Sequence, residues 1–316
     1  MITAVLLAVA TLLATLTPRV VGATWASRAP RLAVAAWQAA TAGLVVTAVL
    51  AGLTLLVPAT EISGGLAAIL HACSTTIAGV YGSPDQLPTV LLGALLAIAL
   101  PVWLLAVAAR TVVQDRHARR RLRRAIALSA REDPSLGVLV LDSERAAAFC
   151  IPGRGRAVVL TSAALAALTD EELAGALAHE RGHLRGRHHV AVTAARVFSR
   201  ALPRVPLASQ GRLHVEQLVE ILADDSAVRR VAPLDVASAL VTLAGMRAPV
   251  PALAAAQDAV ALRVTRLLAP ISPVPVRQRI LVVAGALAAV LGPVALAAWP
   301  LVSAVSSGLC LVPGWT

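Results

Sequence analysis

This chain has no lysine. All 28 of its basic residues are arginine, set against 17 acids for a net charge of +11. It has three cysteines, Cys73, Cys150 and Cys310, and no C-x-x-C pair, so a thiolate zinc cage is not supported. Aromatic residues make up 3%, too few for a platform on which single-stranded nucleic acid could stack. Charged residues are sparse at 14%, whereas 58% of residues are hydrophobic and the mean hydropathy is +0.78. An ordinary soluble domain is about half apolar. Long uncharged runs account for the excess, and they read as membrane spans.

The first run, 2–17, lacks the preceding positive charge of a cleaved signal peptide and is expected to be a span with its N-terminus outside. Arg19, Arg28 and Arg31 mark a short basic loop over 18–32. Further spans are expected over 33–57, 88–109 and 280–304, the last with expected kink points at Pro293 and Pro300. The stretch 58–87 contains Glu61 and Asp85 but no arginine. Within it, 62–82 is expected to be an outer-face or re-entrant helix. A crossing there would put the two arginine-bearing regions on opposite sides of the membrane. Arg116, Arg119, Arg120, Arg121, Arg123 and Arg124 crowd the exit of the third span. They read as a juxtamembrane anchor that attracts anionic lipid, in preference to a nucleic-acid patch.

Residues 110–279 carry 25 arginines against 15 acids, which puts this region on the cytoplasmic side and both termini outside. The expected organisation is a three-span region over 1–109, a cytoplasmic domain over 110–279, and a fourth span with a short tail over 280–316. On this topology Cys73 and Cys310 share the outer side, where a disulfide can persist, so a Cys73–Cys310 bridge is a candidate. Its alternative is two small apolar residues near the membrane surface.

Within the central region, short strands are expected at 136–141, 147–151 and 157–160, bounded by Asp142-Ser143-Glu144 and Pro152-Gly153-Arg154-Gly155. The second and third read as a hairpin. A short helix over 162–168 is followed by a longer one opened by Thr169-Asp170-Glu171-Glu172, a capping box. Arg185, Arg187, His188 and His189 suit the end of that helix. Further helices are expected over 190–202, 213–231, 235–246 and 254–268. The fold class is therefore a mainly α membrane protein. It has four transmembrane helices and an α+β domain inserted between the third and fourth.

The capped helix carries Ala178-His179-Glu180-Arg181-Gly182-His183. His179 and His183 sit one turn apart on one face and can reach a single metal ion, with Glu180 beside them. H-E-x-x-H on a helix is the pattern of a zinc peptidase, whose carboxylate takes the proton from the attacking water. A catalytic zinc needs a third protein ligand. The candidates are His188, His189, His214, Glu216, Glu220, Asp224 and Asp225. His188 and His189 would need a sharp turn to fold back over the first two histidines. The helix over 213–231 places Glu216, Glu220 and Asp224 on one i, i+4 face. That face could be a solvated acidic stripe. However, Leu218, Val219, Ile221 and Leu222 surround Glu220, and a carboxylate so placed is costly unless it meets a cation or metal.

The motif His179-Glu180-x-x-His183, followed by Glu220-x-x-Ala223-Asp224-x-x-Ala227, resembles the gluzincin integral-membrane peptidases. The HtpX-type and CAAX-prenyl-protease-type enzymes share this core. The layout of three spans, domain and fourth span is similar to the BlaR/MecR-type antirepressor peptidases. The resemblance implies Zn2+ as cofactor, His179, His183 and Glu220 as its ligands and Glu180 as general base. It further implies Asp224 as a carboxylate that hydrogen-bonds a ligand imidazole. The implied partners are the lipid bilayer and a protein substrate, first a cytoplasmic winged-helix repressor of the BlaI type, with no direct nucleic-acid contact. The alternatives are a membrane-protein quality-control peptidase, a non-catalytic scaffold, and a nucleic-acid-binding membrane protein. The antirepressor receptors carry a large external penicillin-binding sensor after their last span, and no such sensor is expected here. An inducing signal is expected to act through the spans, the 58–87 loop or another protein. The group that stabilises the oxyanion is left open among His214, Arg229 and Arg230.

Overall fold

The computed structural model describes residues 2–22, 24–56, 86–153, 155–246, 253–269 and 272–306. The expected outer-face helix over 62–82 and the candidate Cys73–Cys310 bridge both lie outside the described residues.

The chain begins with α1 (Ile2–Val21), α2 (Trp25–Arg28), α3 (Pro30–Leu56) and α4 (Leu87–Ser129). Four short strands follow: β1 (Ala130–Asp133), β2 (Val138–Leu141), β3 (Ala148–Ile151) and β4 (Ala157–Thr161). Then come α5 (Ser162–Ala167), α6 (Asp170–Gly186), α7 (His188–Ala201), α8 (Pro206–Ala227), α9 (Pro233–Gly245), α10 (Leu253–Leu268) and α11 (Val276–Ser306).

Among the described residues, α1, α3, α4 and α11 are long and apolar enough to cross a membrane. Helix α3 is the hub, packing against α1, α4, α8 and α11. Its buried face is built from small residues, including Ala33, Ala36, Ala40, Gly43 and Ala51. A Cβ at Gly43 would collide with the backbone of Ala289 on α11, so these two helices cross at close approach. The outward faces of α1, α4 and α11 expose Leu12, Leu91, Ile98, Leu105 and Leu287, an apolar surface suited to lipid.

Helix α4 does not stop at residue 109, where the sequence places the end of the third span. It continues unbroken to Ser129 and carries the arginine cluster with it. No glycine or proline interrupts 102–129, and arginine is a good helix former. A π-helical turn over Leu95–Ala99 precedes Pro101, whose missing N–H and ring would disrupt a regular turn there.

The sheet order is β1-β2-β4-β3, with β2 and β4 parallel and both outer pairs antiparallel. The β3–β4 hairpin matches the sequence reading. Strand β1 does not appear in that reading, because Ala-Arg-Glu-Asp has no apolar alternation and sits half in water at the sheet edge. Val138, Val140, Val158 and Leu160 face Leu177 of α6. On the other face Ile151 and Val159 pack on Ile126, so the far end of α4 covers the back of the sheet.

The domain is tied to the spans by specific contacts. Arg196 on α7 donates to Asp115 on α4 at 2.9 Å, and Arg200 donates to Thr111 and Gln114 at 3.1 Å each. Trp25 and Trp37 share a core with Val215, Leu218 and Val219 of α8. Arg266 donates to the carbonyl of Ser27 at 2.9 Å, so the 18–32 loop and the domain lie at the same end of the bundle.

The expected capping box is present at the start of α6. Thr169 Oγ1 accepts from the Glu172 amide and Glu172 Oε2 accepts from the Thr169 amide. Glu172 Oε1 also accepts from Ser238 and Thr242 of α9. Thr169→Ala should lower stability by about 1 kcal/mol in thermal unfolding of the detergent-solubilised chain. Glu172→Ala should cost more, because it also releases α9.

Candidate metal centre

Helix α6 brings His179 and His183 to one face, and α8 brings Glu220 to meet them. The two helices can approach because residue 182 is glycine. A Cβ there would stand 3.0 Å from the Ala223 carbonyl oxygen, and any larger side chain would push α8 away. His179 Nε2 and His183 Nε2 are 3.1 Å apart. Glu220 Oε2 lies 3.5 Å from the first, and Oε1 lies 3.4 Å from the second. The three residues offer ligand atoms all within 4.8 Å of one another.

This donor set fits zinc. Two imidazole nitrogens and one carboxylate leave a fourth position open, as catalytic zinc sites do. Two Nε2 atoms 3.1 Å apart need a proton or a cation between them, and a bound metal ion would meet that need.

Behind His179 lies Asp224, which is 1% exposed. Its Oδ1 is 2.8 Å from His179 Nδ1. Arg263 of α10 grips the same carboxylate with both arms of its fork, Nε to Oδ2 and Nη2 to Oδ1, each at 2.7 Å. Arg263 Nη1 also reaches Glu220 Oε2 at 3.1 Å. With Nδ1–H donated to Asp224, His179 presents a bare Nε2 to the centre.

The charges follow from these contacts. Burial acts to lower the His179 pKa, but hydrogen bonds to Asp224 and Glu220 outweigh it and raise it to about 9. Burial acts to raise the Glu220 and Asp224 carboxyls. His179 and His183 hold Glu220 well below the usual carboxylate range, and Arg263 and His179 do the same for Asp224.

The other candidate ligands are distributed as follows. His188 does not end the motif helix. Arg187 takes a left-handed conformation, φ 49°, and turns the chain sharply, so His188 opens α7 and folds back with its Nδ1 3.1 Å from His183 Nδ1. Burial, then the neighbouring His183, pushes the His188 pKa down to about 4, which keeps that ring neutral. His189 is not part of the ligand cluster and lines a neighbouring hollow with Pro152 and Gly153. His214 stacks on Trp37 at 5.3 Å, Glu216 pairs with Arg212, and Asp225 pairs with Arg266.

Glu180 opens with His179, His183 and Glu220 onto a cleft of about 460 Å3. Strand β3 contributes Phe149 and Cys150 to its wall, and α9 contributes Val236, Leu240 and Leu243. Cys150 and Glu180 line the same cleft. Burial, reinforced by Glu180, pushes the Cys150 pKa up to about 12. Neither Arg229 nor Arg230 lines this cleft; among the described residues, Arg263 is the one guanidinium that does. Cys150 and Arg263 are the site residues that sequence reasoning did not place here. The buried Asp224 signals that some cation must meet it, but nothing local singles out Arg263 among 25 arginines.

A sign follows for the metal-free protein. The His179 pKa is raised to about 9, so its charged contacts contribute fully below the ordinary histidine value of about 6.5 and fade as pH rises through about 9. Zinc needs the deprotonated ring, so zinc affinity should climb over that same window, and uptake at neutral pH should release a proton. Calorimetry in buffers of different ionisation enthalpy measures that proton. Asp224→Asn should weaken zinc binding roughly 10–100-fold and flatten the pH dependence.

Residues 113–212 match the family model described as Peptidase family M48. No curated protein and no solved structure matches the chain. The matched stretch runs from within α4 to the first turns of α8. It contains His179, Glu180 and His183, but ends before Glu220 and Asp224. Over that stretch the chain is similar to peptidase family M48, generally zinc-dependent, which supports a membrane-type metallopeptidase without singling out the antirepressor subtype.

Proposed function

We propose that this chain is an integral-membrane zinc endopeptidase. The observation that carries the reading is the convergence of His179, His183 and Glu220 beside Glu180 in one cleft. His179, His183 and Glu220 would hold the ion. When bound, zinc would polarise the scissile carbonyl and make water a stronger nucleophile at neutral pH. Glu180 accepts the proton from the attacking water and delivers it to the leaving amine. Asp224 fixes the His179 tautomer, and Arg263 holds Asp224 and Glu220 in place. Among the described residues strand β3 pairs only with β4, so its outer edge offers backbone groups to an extended substrate segment along the cleft.

The span order, three before the domain and one after it, supports a cytoplasmic substrate, first a BlaI-type winged-helix repressor in a signalling pathway. A second reading draws on the cleft itself. Val236, Ala239, Leu240, Leu243 and Val260 line it, which suits an apolar segment and favours quality control of membrane proteins. Both readings place the domain and the arginine-rich loop on the cytoplasmic side, with both termini outside.

Glu180→Gln should retain zinc at wild-type stoichiometry and lose peptide cleavage by about 10²–10⁴-fold. Comparing protein N-termini in cells carrying each form identifies the substrate that loses its cut. A repressor supports the first reading and a membrane protein the second. Full cellular function with Glu180→Gln would instead make the chain a non-catalytic scaffold.

A further inference from the structure

A second, larger cavity of about 760 Å3 has His188 in its lining, which the cleft does not. Four guanidinium groups line it: Arg31 from α3, Arg185 from α6, and Arg229 and Arg230 from the segment after α8. Among the described residues, no acidic one lines it. Among the described residues, none of the four is in an ion pair, whereas Arg196, Arg263 and Arg266 of the same domain each hold a carboxylate. The hydrogen bonds these four make are to neutral groups. Arg185 donates to the Ser226 hydroxyl at 3.2 Å, and Arg229 donates to the Asp225 carbonyl at 3.1 Å. Asp225 cannot serve them, because Arg266 occupies its carboxylate at 2.6 and 3.1 Å.

Like charges gathered around a concave wall repel one another. An anion relieves that repulsion, and the planar fork of arginine matches the oxygens of a phosphate group. The position of the cavity narrows the source. Arg31 is the second residue of α3, so the cavity opens where a span enters the bilayer. Beside His188 and Ser226, its lining includes an apolar strip of Val34, Ala191, Val219 and Leu222. Cationic rim and apolar wall together fit an anion attached to a hydrocarbon body.

We propose that this cavity is a binding site for a phosphate-class anion, with the headgroup of an anionic phospholipid as its source. The alternative to a built site is diffuse attraction of lipid to any arginine near the membrane, of the kind the α4 cluster exerts. The site is independent of the peptidase reading, because its test reads binding alone.

The full chain is reconstituted in nanodiscs of phosphatidylcholine containing phosphatidylglycerol, and native mass spectrometry counts the lipids retained on release. The wild type should retain phosphatidylglycerol selectively. R31Q/R229Q/R230Q should lose that retention by about tenfold or more, while R116Q/R119Q/R120Q on α4 should stay within about twofold of wild type. Should the cavity triple variant fail to fold, the single substitutions replace it, each expected to lose several-fold. A parallel arm titrates inorganic phosphate into protein in pure phosphatidylcholine. Saturable thermal stabilisation that the cavity variant lacks, without lipid retention, assigns the site to a soluble phosphate. Equal loss of lipid in the two triple variants overturns the site. So does wild-type retention in the cavity variant without a phosphate effect.

Discussion

A carboxylate that is 1% exposed must be met by positive charge, and the structure depends on how Asp224 is met. Leaving such a charge unpaired would cost several kcal/mol. Arg263 supplies a two-armed grip from α10, and His179 supplies a ring N–H from α6. Three helices, α6, α8 and α10, are thereby joined at one buried point. Because Glu220 lies one turn before Asp224, fixing the second carboxylate aims the first. The close contact of Gly182 with Ala223 sets how near the two helices come. The candidate metal-ligand cluster is the outward face of this buried ion network.

The same logic extends to the membrane. The pair Asp115–Arg196 and the bonds from Arg200 lock α7 to α4, while Trp25 and Trp37 seat α8 on the spans. The cleft is therefore held in a set position relative to the bundle. The arginine-lined cavity lies between those locked elements, one wall on α3 and the others on α6 and α8.

Much of this was legible in the residues. Uncharged runs marked the four apolar helices, and the i, i+4 spacing put His179 with His183 and Glu220 with Asp224. The capping box at Thr169 and the β3–β4 hairpin were also legible, because each has a local signal. What was not legible lacks one. Hydropathy tells where apolar character ends, not where a helix ends, so the 20 residues by which α4 outlasts residue 109 were missed. Strand β1 is polar and edge-exposed, and its place follows only from pairing with β2. The left-handed turn at Arg187 has no glycine to announce it, yet it decides where His188 goes. Arg263 is selected by a buried acid 39 residues away in the chain, a choice only the folded packing makes.

The central claim is that one ion is held by two histidines and Glu220. Zinc-edge X-ray absorption on the metal-loaded chain, beside Glu220→Ala, tests it most directly. The account predicts one zinc per chain with nitrogen and oxygen neighbours at about 2.0–2.2 Å, and loss of an oxygen neighbour in the variant. A sulfur neighbour near 2.3 Å, or a spectrum that Glu220→Ala leaves unchanged, would contradict it.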